Sequence, residues 1–258
     1  MPSTTRPSPT IHLPSDKIAN LSTICLQDLA SGSAAERARM LKACIEDGFF
    51  YLDLTKPKTR GILDDVETIF GLSENLFNYP TEVKNLFDVD KISPGSKVNG
   101  YKPKGRNVVA KDGSVDGFES WVLPRNGLLQ LSKEAFSHPP SVSENQAVLR
   151  NLVDGLTLAA HAIFNGLSTA LSVPAGQRFE DCQGINNPSP DILRLLKYHA
   201  NERPTSVPQT PHTDLGSLTF VFSDTPGLQV LPPNVTQKAG AYAEDDWLYV
   251  EPRAGHAI

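Results

Sequence analysis

Beyond residue 191 the sequence breaks into four short runs rich in β-branched and aromatic residues, at 192–198, 218–222, 228–231 and 247–250. Turn signals such as Asp224-Thr225-Pro226-Gly227 separate them. Strands this short are not stable singly and must pair into a sheet whose faces are covered by something else. The preceding part of the chain supplies the cover, because its apolar residues recur with helical spacing. Ser33 and Glu36 have the capping-box spacing and open a helix with Ala38, Leu41, Cys44 and Ile45 on its apolar face, ended by Gly48. A strand is expected at 49–54, a helix on Ile62, Val66, Ile69 and Phe70, and a short helix from Pro80 to Phe87. Glycines and prolines between Ser93 and Asn126 leave only loops and short strands around Tyr101, Val108-Val109 and 118–122. Ser141 and Glu144 repeat the capping-box spacing and open the longest helix, whose stripe runs from Leu149 to Leu167 and stops before Pro174.

Helices first and antiparallel strands later predict an α+β fold, with a helical region supporting a jelly-roll type barrel that leaves an open mouth for a ligand. The expected division is a disordered lead-in at 1–17, a helical and mixed region at 18–175, and a sheet region at 176–258. The lead-in is rich in Pro, Ser and Thr and has no apolar core of the kind a signal peptide needs. No apolar run reads as a membrane span. A net charge of −5 without a Lys/Arg-rich run argues against nucleic acid and anionic membrane as partners and favours a small molecule. Cys25, Cys44 and Cys182 form no CxxC and no even framework, which suits a reducing, cytoplasmic setting. Oligomeric state is not legible.

One motif carries chemistry. In an extended segment His212 and Asp214 point to the same side, and an imidazole and a carboxylate so placed are two of the three ligands of the 2-His-1-carboxylate triad that holds non-haem Fe(II). With 6 His in 258 residues, His-x-Asp is expected by chance roughly 0.4 times. The tripeptide alone therefore suits better a turn in which Asp214 caps Leu215-Gly216 and His212 is an ordinary loop histidine. A zinc hydrolase is disfavoured, since neither His-x-His nor His-Glu-x-x-His accompanies the pair. His161, alone on its helix, reads as a partly buried histidine with a hydrogen-bond partner.

The order of features is more specific than any one of them. Gly48-Phe49-Phe50-Tyr51, Tyr101-Lys102-Pro103, Asp116-Gly117-Phe118-Glu119, Leu193-Arg194-Leu195-Leu196-Lys197-Tyr198, His212-Thr213-Asp214, Leu218-Thr219 and Gly227-Leu228-Gln229-Val230 follow one another. Together they resemble the isopenicillin N synthase-like family of Fe(II)/2-oxoglutarate-dependent oxygenases, from about residue 18 to the chain end. The resemblance implies a double-stranded β-helix with iron at its mouth, His212 and Asp214 as metal ligands, 2-oxoglutarate and O₂ as co-substrates, and hydroxylation, desaturation or ring formation on a small organic molecule of secondary metabolism. Tyr198 matches a strand tyrosine that in several members hydrogen-bonds 2-oxoglutarate, with a core tyrosine as the alternative. Leu196 stands where many members have a co-substrate-contacting Asn. Asp116 and Glu119 fall in a segment often near the substrate, although a turn aspartate and a solvated strand glutamate are the simpler readings.

Past Pro252-Arg253-Ala254-Gly255 the family pattern continues into strands bearing the distal His and an Arg-x-Ser pair. The resemblance therefore implies that those elements are missing from this truncated chain and that the β-helix is incomplete. His256 and Arg253 come too early in the pattern to replace them. The alternative to an oxygenase is a non-catalytic relative that binds a small molecule or a partner.

Overall fold

A computed structural model describes residues 13–109, 113–132, 136–200, 209–233, 235 and 244–258. Of the lead-in expected at 1–17, residues 1–12 lie outside the described residues, and Ser15–Lys17 form one 3-10 turn. The described elements are, in order, β1 (Thr23–Cys25), α1 (Leu26–Ala30), α2 (Ala34–Glu46), β2 (Tyr51–Asp53), α3 (Arg60–Phe77), α4 (Thr81–Lys84), α5 (Val89–Ile92), β3 (Gly100–Lys102) and β4 (Phe118–Pro124). They continue with α6 (Arg125–Leu128), α7 (Pro140–Glu144), α8 (Gln146–Ala170), β5 (Ile192–Tyr198), β6 (Gln229–Val230), β7 (Leu248–Tyr249) and β8 (His256–Ala257). The fold is mixed α+β. Contacts gather the chain into two units, each assembled from separated stretches.

The first unit comprises Met1–Leu63, Leu158–Gln183 and Ser217–Ile258. Its sheet has the order β1-β2-β8, with β1 parallel to β2 and β8 antiparallel to β2, and a separate pair joins β6 to β7. Ala19, Leu21, Tyr51, Val230 and Val250 form a core between these strands. As expected, Ser33 caps α2 by accepting from the Glu36 amide at 3.3 Å. The buried face of α2, however, is Glu36, Met40 and Ala43, whereas Ala38 and Ile45 face water. Two contacts set that rotation. The Glu36 carboxylate turns inward to accept the Cys25 amide at 2.6 Å, and Gly166 of α8 leaves just enough room for Met40, since a Cβ there would stand 2.7 Å from its methyl. The strand expected at 49–54 is shorter, because β2 starts to pair only where the Tyr51 amide donates to Ser22. The run 218–222 forms no strand; Val221 merely exchanges two hydrogen bonds with Ile258.

The second unit comprises Asp64–Thr157 and Gly184–Gly216. It is built on the antiparallel sheet β3-β4-β5, in which Phe118 pairs with Tyr198, Ser120 with Leu196 and Val122 with Arg194. Alternation along the strands gives this sheet two different faces. One carries Tyr101, Glu119, Trp121 and Leu195, all buried, with the Trp121 ring centroid 5.2 Å from that of Tyr101 and 5.9 Å from that of Phe87. The other is exposed along β5, at Arg194, Leu196 and Tyr198, and buried along β3 and β4, at Lys102, Phe118, Ser120 and Val122.

Gly100 lets β3 approach the chain that precedes it. Its φ is +122°, and a Cβ would lie 2.6 Å from the Phe87 carbonyl oxygen and 3.0 Å from the Val89 Cα. Gly100→Ala is expected to cost at least the roughly 1–3 kcal/mol of such a backbone conformation, with the clash added. The midpoint of urea denaturation reads the loss, and an unchanged midpoint would show that β3 moves away freely.

The Ser141–Glu144 signal behaves differently from its expectation. Pro140 starts the separate short helix α7, Asn145 interrupts the helical path, and α8 begins at Gln146. The Ser141 hydroxyl is buried without a partner among the described residues, so it caps none of their amides. Contrary to the sequence reading, α8 is long and apolar enough, by length and composition, to cross a membrane. It nonetheless carries Arg150 and Asp154, and its apolar stripe Leu149, Leu152, Val153, Ile163 and Phe164 is buried within the protein.

Candidate active site

The exposed face of β5 ends in Tyr198, a residue 49% exposed whose ring lies against Phe118 at 5.4 Å between centroids. Partial desolvation raises the Tyr198 phenol above its ordinary pKa, and the Arg194 charge opposes the shift. The Tyr198 hydroxyl donates to the side-chain oxygen of Gln209. The amide nitrogen of the same Gln209 stands 3.3 Å from His212 Nε2, and His212 Nδ1 lies 2.9 Å from the Thr210 carbonyl. With Nδ1 donating to Thr210, Nε2 keeps its lone pair and accepts from Gln209. The same Nε2 is 3.3 Å from Asp214 Oδ1. The three residues singled out in the sequence thus meet, connected through Gln209, within the second unit.

The segment carrying His212 and Asp214 is irregular and not a strand end. It follows residues 201–208, which lie outside the described residues. The two side chains are half exposed, at 50% and 55%. Their geometry fits a metal ion: neighbouring donors each about 2.1 Å from a metal lie about 3 Å apart. The carbonyl partner on His212 Nδ1 is the outer contact that metal-binding histidines commonly have. Among the described residues no group of three His, Cys, Asp or Glu side chains is arranged to hold a metal ion. His256 instead packs edge-on against Tyr51, with ring centroids 6.3 Å apart. Arg253 is engaged too, its guanidinium 3.8 Å from the Tyr51 ring centroid and 3.3 Å from the Thr23 hydroxyl. His161 has the partner expected of it, the Gln183 carbonyl.

Glu119 corrects its reading as a solvated strand residue. It is 4% exposed and accepts from Lys84 Nζ and the Tyr101 hydroxyl, each at 2.7 Å, with His199 Nε2 3.0 Å away. The signal that could have found it is local: in Phe118-Glu119-Ser120-Trp121 the glutamate shares a face with a tryptophan bound for the core. Since His199 follows Tyr198, this network holds the end of β5 from beneath. Asp116 is the turn residue expected, buried and accepting the Gly105 and Asn107 amides at 2.9 Å and Lys102 Nζ at 2.8 Å. Burial lowers the Lys102 pKa, and Asp116 partly restores it.

Comparison with known proteins decides the family. The family described as non-haem dioxygenase in morphine synthesis, N-terminal, matches residues 18–147, half of the chain. A 2-oxoglutarate-dependent dioxygenase, frbH, from Dothideomycetidae sp. is 30% identical over 247 residues, spanning 93% of this chain and 69% of the relative. The chain belongs to the non-haem, 2-oxoglutarate-dependent dioxygenases. Another such dioxygenase, FG08081 from Gibberella zeae, is 29% identical over 243 residues, 94% of this chain and 68% of its own length. The chain thus spans about two thirds of the length of these relatives. Among solved structures, a full-length Neurospora crassa protein crystallised with alpha-KG and thymine superposes with a TM-score of 0.69 at 20% identity, over 95% of this dioxygenase and 74% of the Neurospora chain. That likeness establishes the fold as the jelly-roll architecture of 2-oxoglutarate oxygenases, here with its helices and the β3-β4-β5 sheet in place.

Proposed function

We propose that this dioxygenase carries out Fe(II)- and 2-oxoglutarate-dependent oxidation of a small organic molecule of secondary metabolism, by hydroxylation, desaturation or ring formation, in a cytoplasmic setting. The observation that carries the reading is the run of contacts Tyr198, Gln209, His212, Asp214 in a member of this family. His212 and Asp214 are the proposed metal ligands, Tyr198 the proposed hydrogen-bond donor to 2-oxoglutarate, and residues 176–258 the proposed contribution to the double-stranded β-helix. Bound there, Fe(II) would couple O₂ activation to the decarboxylation of 2-oxoglutarate to succinate and CO₂. The chain's own residues orient the site. Thr210 fixes the His212 tautomer and leaves the Nε2 lone pair for a metal to take in place of Gln209, and the Glu119 network fixes the strand end. The dioxygenase and 2-oxoglutarate names of the relatives support catalysis over the non-catalytic alternative, and three cysteines without disulfides support a reducing compartment.

Succinate formation by the purified full chain tests the reading. It is expected to require Fe(II), O₂ and 2-oxoglutarate together and to disappear in His212→Ala. Folded protein that forms no succinate, or forms it without iron, would overturn the proposal.

A further inference from the structure

The exposed face of β5 carries a cation that nothing in the site described so far uses. Arg194 lies on the same strand face as Leu196 and Tyr198, four residues and so roughly 13 Å along the strand from Tyr198. It lines a pocket together with Asp90, Lys97, Lys102, Arg106, Asn107 and Val122. The other cations there are matched. Lys97 pairs with Asp90 at 3.1 Å, Lys102 with Asp116 at 2.8 Å, and Arg106 with Asp88 at 2.7 Å and also with Asp90. Arg194 alone among these has no hydrogen-bond or ion-pair partner among the described residues, so the pocket keeps one positive charge uncompensated. Its field reaches both neighbours, opposing the protonated form of Lys102 and favouring the ionised form of Tyr198. Between Arg194 and Tyr198 the face is apolar, since Leu196 is 42% exposed there.

We infer that this pocket takes the carboxylate of the organic substrate, with Arg194 as its anchor, and that the substrate's apolar body lies along Leu196 toward Tyr198. The assignment rests on the oxygenase reading above and adds the substrate class, an organic acid with an apolar skeleton. A guanidinium suits the role because it offers two parallel N–H donors to one carboxylate and stays charged at any working pH. Lys102 and Arg106, tied to their own carboxylates, shape the pocket without competing for the ligand.

The probe is 2-naphthoate, its fluorescence titrated with the full chain, beside methyl 2-naphthoate, which has the same skeleton and no charge. The acid is expected to bind roughly tenfold or more tightly than the ester, and Arg194→Gln to remove that preference while leaving ester binding unchanged. Arg194→Lys should recover part of it. Lys197→Gln, which removes a positive charge from the opposite face of the strand, should change neither affinity. Equal binding of acid and ester, or an acid preference surviving in Arg194→Gln, would overturn the inference. So would displacement of naphthoate from Arg194 by 2-oxoglutarate, which would make the arginine a co-substrate anchor. The titration needs neither iron nor turnover. Failure of succinate formation would leave an acid preference standing as an organic-acid site without the substrate role, and loss of the acid preference leaves the oxygenase reading intact.

Discussion

Replacing Glu119 with alanine is expected to destabilise the protein by about 3–5 kcal/mol, the usual consequence of orphaning one partner of a buried ion pair. Lys84 and Glu119 are 9% and 5% exposed in their side chains, so water cannot readily replace the lost carboxylate. Lys84 would keep the Phe77 carbonyl at 3.2 Å and the Tyr101 ring, 5.1 Å from its centroid, but no anionic partner among the described residues, and the Tyr101 hydroxyl would lose its acceptor. Urea denaturation of the full chain reads the change. The double variant Lys84→Met, Glu119→Leu should lie closer to the parent than Glu119→Ala does, because no unpaired charge is left behind. A loss below about 1 kcal/mol in Glu119→Ala, the range of an exposed pair, would show that the network is not sealed from solvent.

The same network gives the stability a pH dependence of known sign. Burial pushes the Glu119 carboxyl up, but hydrogen bonds from Lys84 and Tyr101, with the charges of Lys84 and His199, outweigh burial and hold it below the ordinary range. A depressed carboxylate stabilises the fold above its unfolded pKa of about 4.3, and that contribution is lost as the pH falls through the lower folded value. The parent should therefore lose stability on acidification below about pH 4.3, and Glu119→Gln should show a shallower loss.

The second large effect is expected at the metal ligands. His212→Ala and Asp214→Ala should each weaken Fe(II) or Co(II) binding by more than the roughly 100-fold that loss of an outer hydrogen-bond partner can cost. Both side chains are half exposed on an irregular segment, so stability should stay within about 0.5 kcal/mol of the parent. Anaerobic calorimetry separates the two quantities. Gln209 occupies the same Nε2 lone pair that a metal would take, so Gln209→Ala, which spares both ligands, should leave metal affinity undiminished. Undiminished affinity in His212→Ala would end the assignment of this residue.

Much of this dioxygenase is legible without coordinates, for identifiable reasons. The start of α2 is encoded by Ser33 and Glu36 because a cap is a contact three residues long. The run 192–198 yields a strand because β-branched and aromatic residues suit a pleated, half-buried surface. The pairing of His212 with Asp214 is legible because they stand two positions apart, even though their segment proved irregular. Order along the chain was enough to recognise the family.

Long-range contacts settled the rest. Which face of α2 is buried depended on Glu36 reaching the Cys25 amide and on Gly166 admitting Met40, partners that no local periodicity names. The run 218–222 has strand-like residues but pairs, among the described residues, through the two hydrogen bonds of Val221 with Ile258, too few for a ladder. Glu119 reads as solvated until Lys84, Tyr101 and His199, from three other parts of the chain, close over it. Arg194 looks like any strand arginine until the acidic residues around it are seen to be committed to other cations. Spacing along the chain determines which donors lie on the same side of a strand or segment. Folding determines which of those charges are answered, because that depends on groups brought together from 18 to 80 residues away.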